Sequence, residues 1–146
     1  PLPPPAALVS RDYQTVGGAY VRVAPAKGPL KKVVSDKVFA ADGKYGSYGA
    51  PSEVKLKGSE RRGDGDEVFE YTFVALTPAM REGARRVRAR AIQVGGDDVF
   101  ILVAGSTAAR WRAAEPALAE AVDSFAARPA PEFSAEMVAF RKKGGK

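Results

Sequence analysis

Apolar and polar residues first alternate regularly at Tyr20-Val21-Arg22-Val23-Ala24, and the run stops at Pro25, which predicts a strand ending in a turn. After Lys27-Gly28-Pro29 the period lengthens. Leu30, Val33, Val34 and Val38 fall on one helical face, so a short helix is expected over Leu30 to Phe39. Residues 42–51, DGKYGSYGAP, hold three glycines and a proline and read as a loop, with Tyr45 and Tyr48 expected to anchor it by packing rather than to form an exposed contact.

Three strands with turn signals between them follow. Glu53 to Glu60 is polar, and Lys55 and Lys57 are the residues that protect an edge strand from unwanted pairing. Asp64-Gly65 marks a turn into Val68 to Leu76, whose aromatic and β-branched content predicts a central strand. Arg85 to Val94 alternates strictly, placing Val87, Ala89 and Ala91 on one face and Arg86, Arg88 and Arg90 on the other. Gly95-Gly96-Asp97-Asp98 is a hairpin signal, and Val99 to Ala104 returns as the next strand, giving an antiparallel meander.

A helix closes this region. Thr107 is its expected cap, and Trp111, Leu118, Val122 and Phe125 lie on one stripe. Pro116 interrupts the pattern: either the helix proper begins there after a preliminary turn at 108–115, or the helix is kinked. Arg128-Pro129-Ala130-Pro131 ends it. The chain therefore divides into a proline-rich extended arm at 1–16, a domain at 17–127 and a basic amphipathic tail at 128–146, with no internal repeat. In the arm, PLPPPAALV reads as a passive leader in preference to a docking strip.

Composition narrows the chemistry. Among 146 residues there is neither cysteine nor histidine, which excludes disulfides, thiolate metal sites, a cysteine nucleophile, a Ser-His-Asp triad and imidazole ligation. With 23 Lys and Arg against 17 Asp and Glu, the net charge of +6 points to acidic partners, whether a protein surface, an anionic membrane or nucleic acid. The apolar runs are far below the ~20 residues of a membrane-spanning helix. The chain opens at Pro1 with no signal-type segment before the fold, so any targeting peptide is expected to have been removed or never included.

The arginine comb Arg86, Arg88 and Arg90 is the first candidate site, and two readings stand level: a sheet face balanced by Glu70 or Glu67 on the next strand, or a contact for an acidic partner. Its arginines alternate with Val and Ala only, without the interleaved aromatics of a nucleic-acid surface, so no nucleic acid is expected. The tail is the second: Phe133, Met137 and Phe140 have helical spacing, followed by Arg141, Lys142, Lys143 and Lys146, and it either docks on a partner or packs back on the domain. The glycine pairs match no phosphate-loop pattern. Asp64 and Asp66, like Asp97 and Asp98, are read as turn residues, and Trp111 as core. No catalytic residue, metal site or cofactor is expected, and no pair of side chains is spaced for catalysis.

The order of DEVFEYTFVAL at 66–76, ARRVRARAIQVGGDDVFILVAGSTAARW at 84–111 and EPALAEAVDSF at 115–125 resembles the carboxy-terminal half of the PsbP family, the extrinsic proteins of photosystem II and their PsbP-like relatives. Arg110-Trp111 and Ser124-Phe125 match its RW-type motif and closing Ser-Phe, and YVRVAP at 20–25 its early strand. The resemblance implies an α+β fold, an antiparallel sheet flanked by helices in an α/β/α sandwich of the kind shared with Mog1. It also implies a non-enzymatic protein of the chloroplast thylakoid lumen, peripheral to the membrane and monomeric before docking. The expected partner is photosystem II during assembly, repair or stabilisation, with photosystem I, plastid NDH or a Mog1-like soluble binding role as alternatives. The early region is short, the tail is extra, and the family's proposed histidine metal ligands have no counterpart, so no calcium or manganese role is carried over.

Overall fold

The computed structural model describes residues 10–12 and 17–127. The elements are β1 (Ser10–Asp12), β2 (Gly17–Pro25), α1 (Leu30–Val38), β3 (Ser52–Gly63), β4 (Asp66–Leu76), β5 (Glu82–Val94), β6 (Asp98–Thr107), a 3-10 turn at Ala108–Arg110 and α2 (Trp111–Ser124). The fold is α+β: six strands form one antiparallel sheet in the order β1-β2-β6-β5-β4-β3. The β4-β5-β6 run is the expected meander; β3 extends it on the β4 side, and β2 pairs with β6 on its far side. β1 pairs with the start of β2, so the sheet reaches into the stretch assigned to the arm. Residues 1–9 and the tail, including Phe133, Met137, Phe140, Arg141, Lys142 and Lys143, lie outside the described residues.

Each helix buries a different face of the sheet. Leu30, Val33, Val34 and Val38 of α1 pack on Phe69, Tyr71, Phe73, Val87, Ala89, Ala91, Val99, Ile101 and Val103. On the opposite face, Trp111, Ala114, Leu118 and Val122 of α2 pack on Val68, Leu102 and Ala104. The period-2 alternation of β5 and the helical spacing of both helices thus act as predicted. β3 is exposed along its whole length and forms an edge of the sheet.

Tyr45 anchors its loop as expected, tilted against Phe73 at 4.9 Å and edge-on to Tyr20 at 6.1 Å, while Phe39 meets both Tyr71 and Phe73 at 5.0 Å. The companion expectation fails for Tyr48, which is exposed. Gly46 makes the loop possible, because a Cβ there would stand 2.3 Å from the Ala41 carbonyl oxygen.

The start of α2 differs from the sequence expectation. Thr107 occupies the extended position before the 3-10 turn, yet its side chain makes no capping hydrogen bond. Of the two readings left open for Pro116, the one that starts the helix there does not hold: the α-helix begins at Trp111 and runs through Pro116. Pro116 and Arg112 are both exposed, so the residue whose carbonyl loses an i to i−4 donor is on the solvent side, where the loss costs least.

Two predictions follow from this packing. A Cβ at Gly105 would stand 2.5 Å from Val87 Cγ1 and 2.8 Å from the Arg86 carbonyl oxygen. Overpacking a strand pair buried on both faces costs about 1–3 kcal/mol, so Gly105→Ala is expected to lower the urea midpoint without changing the slope. Burial raises the Tyr20 phenol well above its ordinary range and pushes Tyr45 up to about 12, the Arg85 charge opposing the second shift. Both rings fold as the neutral form. Their contribution is therefore complete below the unfolded tyrosine pKa of about 10 and is lost as the pH rises through the Tyr45 value. Tyrosinate absorbance and denaturant midpoints, followed together, should show an alkaline loss of stability that Tyr45→Phe reduces.

Candidate functional site

Strict alternation in β5 sends Arg86, Arg88 and Arg90 to the face covered by α2, and their side chains are only 36%, 21% and 13% exposed. Burial to that degree requires counter-charge. It comes from β4. Glu70 lies directly across the ladder from Arg88 and diagonally from Arg86. Its Oε1 accepts from Arg88 Nη2 at 3.0 Å, and its Oε2 accepts from Arg86 Nε at 3.1 Å and again from Nη2. One carboxylate thus bridges two guanidinium groups. Partial burial works against ionising Glu70, but hydrogen bonds from Arg86 and Arg88, reinforced by their charge, outweigh it and hold its pKa below the ordinary carboxylate value.

Arg90 is gripped at both ends. Its Nε and Nη2 donate to the two carboxylate oxygens of Asp66 at 3.0 and 2.9 Å, a bidentate pair. Its Nη1 donates to the carbonyls of Val122 and Asp123 at 2.9 and 3.2 Å, supplying a cation where the last turn of α2 lacks donors. The hydrogen bonds that Arg90 donates to Asp66 raise its pKa further, against a smaller opposing effect of burial. Arg62 on β3 joins the same corner through Asp123 Oδ1 at 2.6 Å and Glu60 Oε1 at 3.0 Å. Trp111 completes the layer, with Arg86 Cζ 5.0 Å and Arg88 Cζ 5.6 Å from its ring centroid.

Beside this grid, between the end of α2 and β3, runs an open groove of about 380 Å³ whose lining includes Ser59, Arg62, Val68, Glu70, Arg88 and Asp123. Both charge signs line it. Among the described residues no group of three acidic, His or Cys side chains is placed to hold a metal ion, and no helix is long and apolar enough to cross a membrane.

The structure brings the three comb arginines together and meets their charge from inside the protein. Glu70 is one of the two carboxylates expected to do this. Glu67 is not, because it pairs in register with Ala91 on the α1 face. Asp66, read from the sequence as a turn residue, is the first residue of β4 and takes that place. Its signal was its phase, since Asp66, Val68 and Glu70 share one strand face. Trp111 is core as expected, and its second role as a platform for two guanidinium groups was not legible.

No family model matches the sequence, and no curated protein matches it. Among solved structures, a protein of unknown function from Pseudomonas aeruginosa, PA94, superposes with a TM-score of 0.49 at 16% sequence identity, over 77% of this chain and 75% of that one.

Glu70→Gln keeps the shape of the bridge and removes its charge. The variant is expected to lose about 1–3 kcal/mol of stability, the range for hydrogen-bonded charged groups left without their partner. The sign with pH follows from the depressed pKa: the Glu70 contribution is present above the unfolded value of 4.5 and is lost as the pH falls through the folded one. Denaturation midpoints of the two proteins should therefore converge on acidification; a constant gap down to low pH would contradict the bridge.

Proposed function

We propose that the protein is a non-catalytic, PsbP-like accessory protein of the thylakoid lumen that binds a photosynthetic complex, with photosystem II during assembly, repair or stabilisation as its partner. The observation that carries this reading is the arrangement of the stretch that resembles the family. Residues 66–125 run without interruption through β4, β5, β6 and α2, with Arg110-Trp111 at the start of the helix and Ser124-Phe125 at its end. Trp111 is buried under the helix, and Phe125 packs against the same cluster. With one helix on each face of the sheet, the finer assignment within α+β is an α/β/α sandwich of the Mog1/PsbP kind.

The geometry shifts the proposed docking surface away from the comb. Arg86, Arg88 and Arg90 are engaged by Glu70, Asp66 and α2, so their charge acts within the molecule. The exposed lysines of β3, Lys55 and Lys57, stand on a strand exposed along its whole length, and they suit acidic loops of a membrane complex. The basic tail extends the same charge preference.

The test is to tag the protein in its native phototroph, solubilise thylakoids gently and identify what migrates with it by native electrophoresis and mass spectrometry. Migration with photosystem II core intermediates is expected. Lys55→Glu with Lys57→Glu should cut the bound fraction severalfold and raise its sensitivity to salt. Location outside the plastid, or a lumenal pool with no bound fraction, would overturn the reading; migration with photosystem I or NDH would replace the partner.

A further inference from the structure

One arginine of β5 breaks the pattern of its neighbours. Arg85 is in phase with Val87, Ala89 and Ala91 and lies on the apolar α1 face, between Phe73 on β4 and Thr107 on β6. Its guanidinium stands 5.4 Å over the Tyr45 ring. Its Nε is buried and has no hydrogen-bond partner among the described residues. Arg86, Arg88 and Arg90 each have a carboxylate. The rest of the guanidinium is engaged with the Tyr45 side chain, so the Nε is the unmet donor, and a guanidinium donor withdrawn from water without an acceptor is costly unless an anion can reach it.

The cleft is there. Arg85 lines a pocket of about 230 Å³ at the end of the β4-β5 ladder, bounded by Tyr45, Tyr48, Leu76, Pro78 and Thr107. None of its lining residues is acidic, and two, Arg85 and Lys44, are cationic. The remaining wall is largely apolar. Tyr48, the aromatic that does not pack into the core, forms part of it. The volume lies below that of a pocket for a drug-sized ligand.

We propose that this cleft is a binding site for a small monocarboxylic acid with an apolar or aromatic body. The carboxylate accepts a charge-assisted hydrogen bond from Arg85, and the body rests against Tyr48, Leu76 and Pro78. The site is on the face opposite the arginine grid, and its occupancy is independent of which complex the protein docks to.

The test uses the full chain, benzoate as probe and its uncharged isostere benzamide as control, followed by amide chemical shifts. Benzoate should give saturable shifts centred on Tyr45, Gly83, Ala84, Arg85 and Thr107, with benzamide roughly 10-fold weaker or more, as expected for a hydrogen bond to a charged group. Arg85→Gln should abolish the difference between the two probes. Because that change also removes the contact with Tyr45, a second variant leaves the guanidinium intact. A Cβ at Gly83, a lining residue, meets only Ala75 O and Thr77 Cγ2, both at 3.7 Å, so Gly83→Val is expected to fold and to weaken both probes by narrowing the cleft. Equal affinity for benzoate and benzamide, shifts centred elsewhere, or no saturation in the millimolar range would each overturn the proposal.

Discussion

Helix α2 lies on a sheet face that carries three arginines in a row, and it can do so only because Glu70 and Asp66 on the neighbouring strand neutralise them. Without that pairing the face would repel itself and stay hydrated, and Trp111, Leu118 and Val122 would lose the surface they bury against. Trp111 suits the position because its apolar body fills the core while its ring face accepts two guanidinium groups. Helix packing and charge pairing on this side of the molecule are one arrangement.

The sheet serves both helices in a similar way at their ends. Arg90 reaches the last carbonyls of α2, and on the other face Arg22 of β2 donates to the Lys37 carbonyl in the last turn of α1 at 3.2 Å. Each helix therefore has its C-terminal end met by a cation that the sheet supplies. Neither helix has a side-chain N-cap, so this end contact fixes position where local capping does not. The positive charge has accordingly two destinations: Arg86, Arg88, Arg90 and Arg22 are engaged inside the architecture, while Lys55 and Lys57 on the outer strand face solvent.

Much of the fold was legible in the sequence because its signals are local. The alternation of Val87, Ala89 and Ala91 with Arg86, Arg88 and Arg90 specifies a two-faced strand whatever surrounds it, and Gly95-Gly96 specifies the hairpin that follows. Lys55 and Lys57 marked an edge. The candidate site was only half legible. The sequence named the comb and one of its carboxylates, but Asp66 looked like part of a turn, since Asp64 and Gly65 beside it are one. Thr107 carried the sign of a cap and makes no capping bond, and of the two readings open for Pro116 the helix runs through it, because packing of Trp111 and Ala114 draws the helix forward.

By itself the sequence determined an α+β chain with an antiparallel meander, the faces of β5, the edge character of β3, and the absence of cysteine and histidine chemistry, because periodicity and composition are properties of neighbouring residues. Only the tertiary structure decided where each charge goes. Arg85 and Arg86 are adjacent in sequence, yet pleating sends one to an apolar cleft under Tyr45 and the other to a carboxylate beneath α2. That assignment depends on partners 16 to 40 residues away, brought together by strand register, which sequence spacing does not contain.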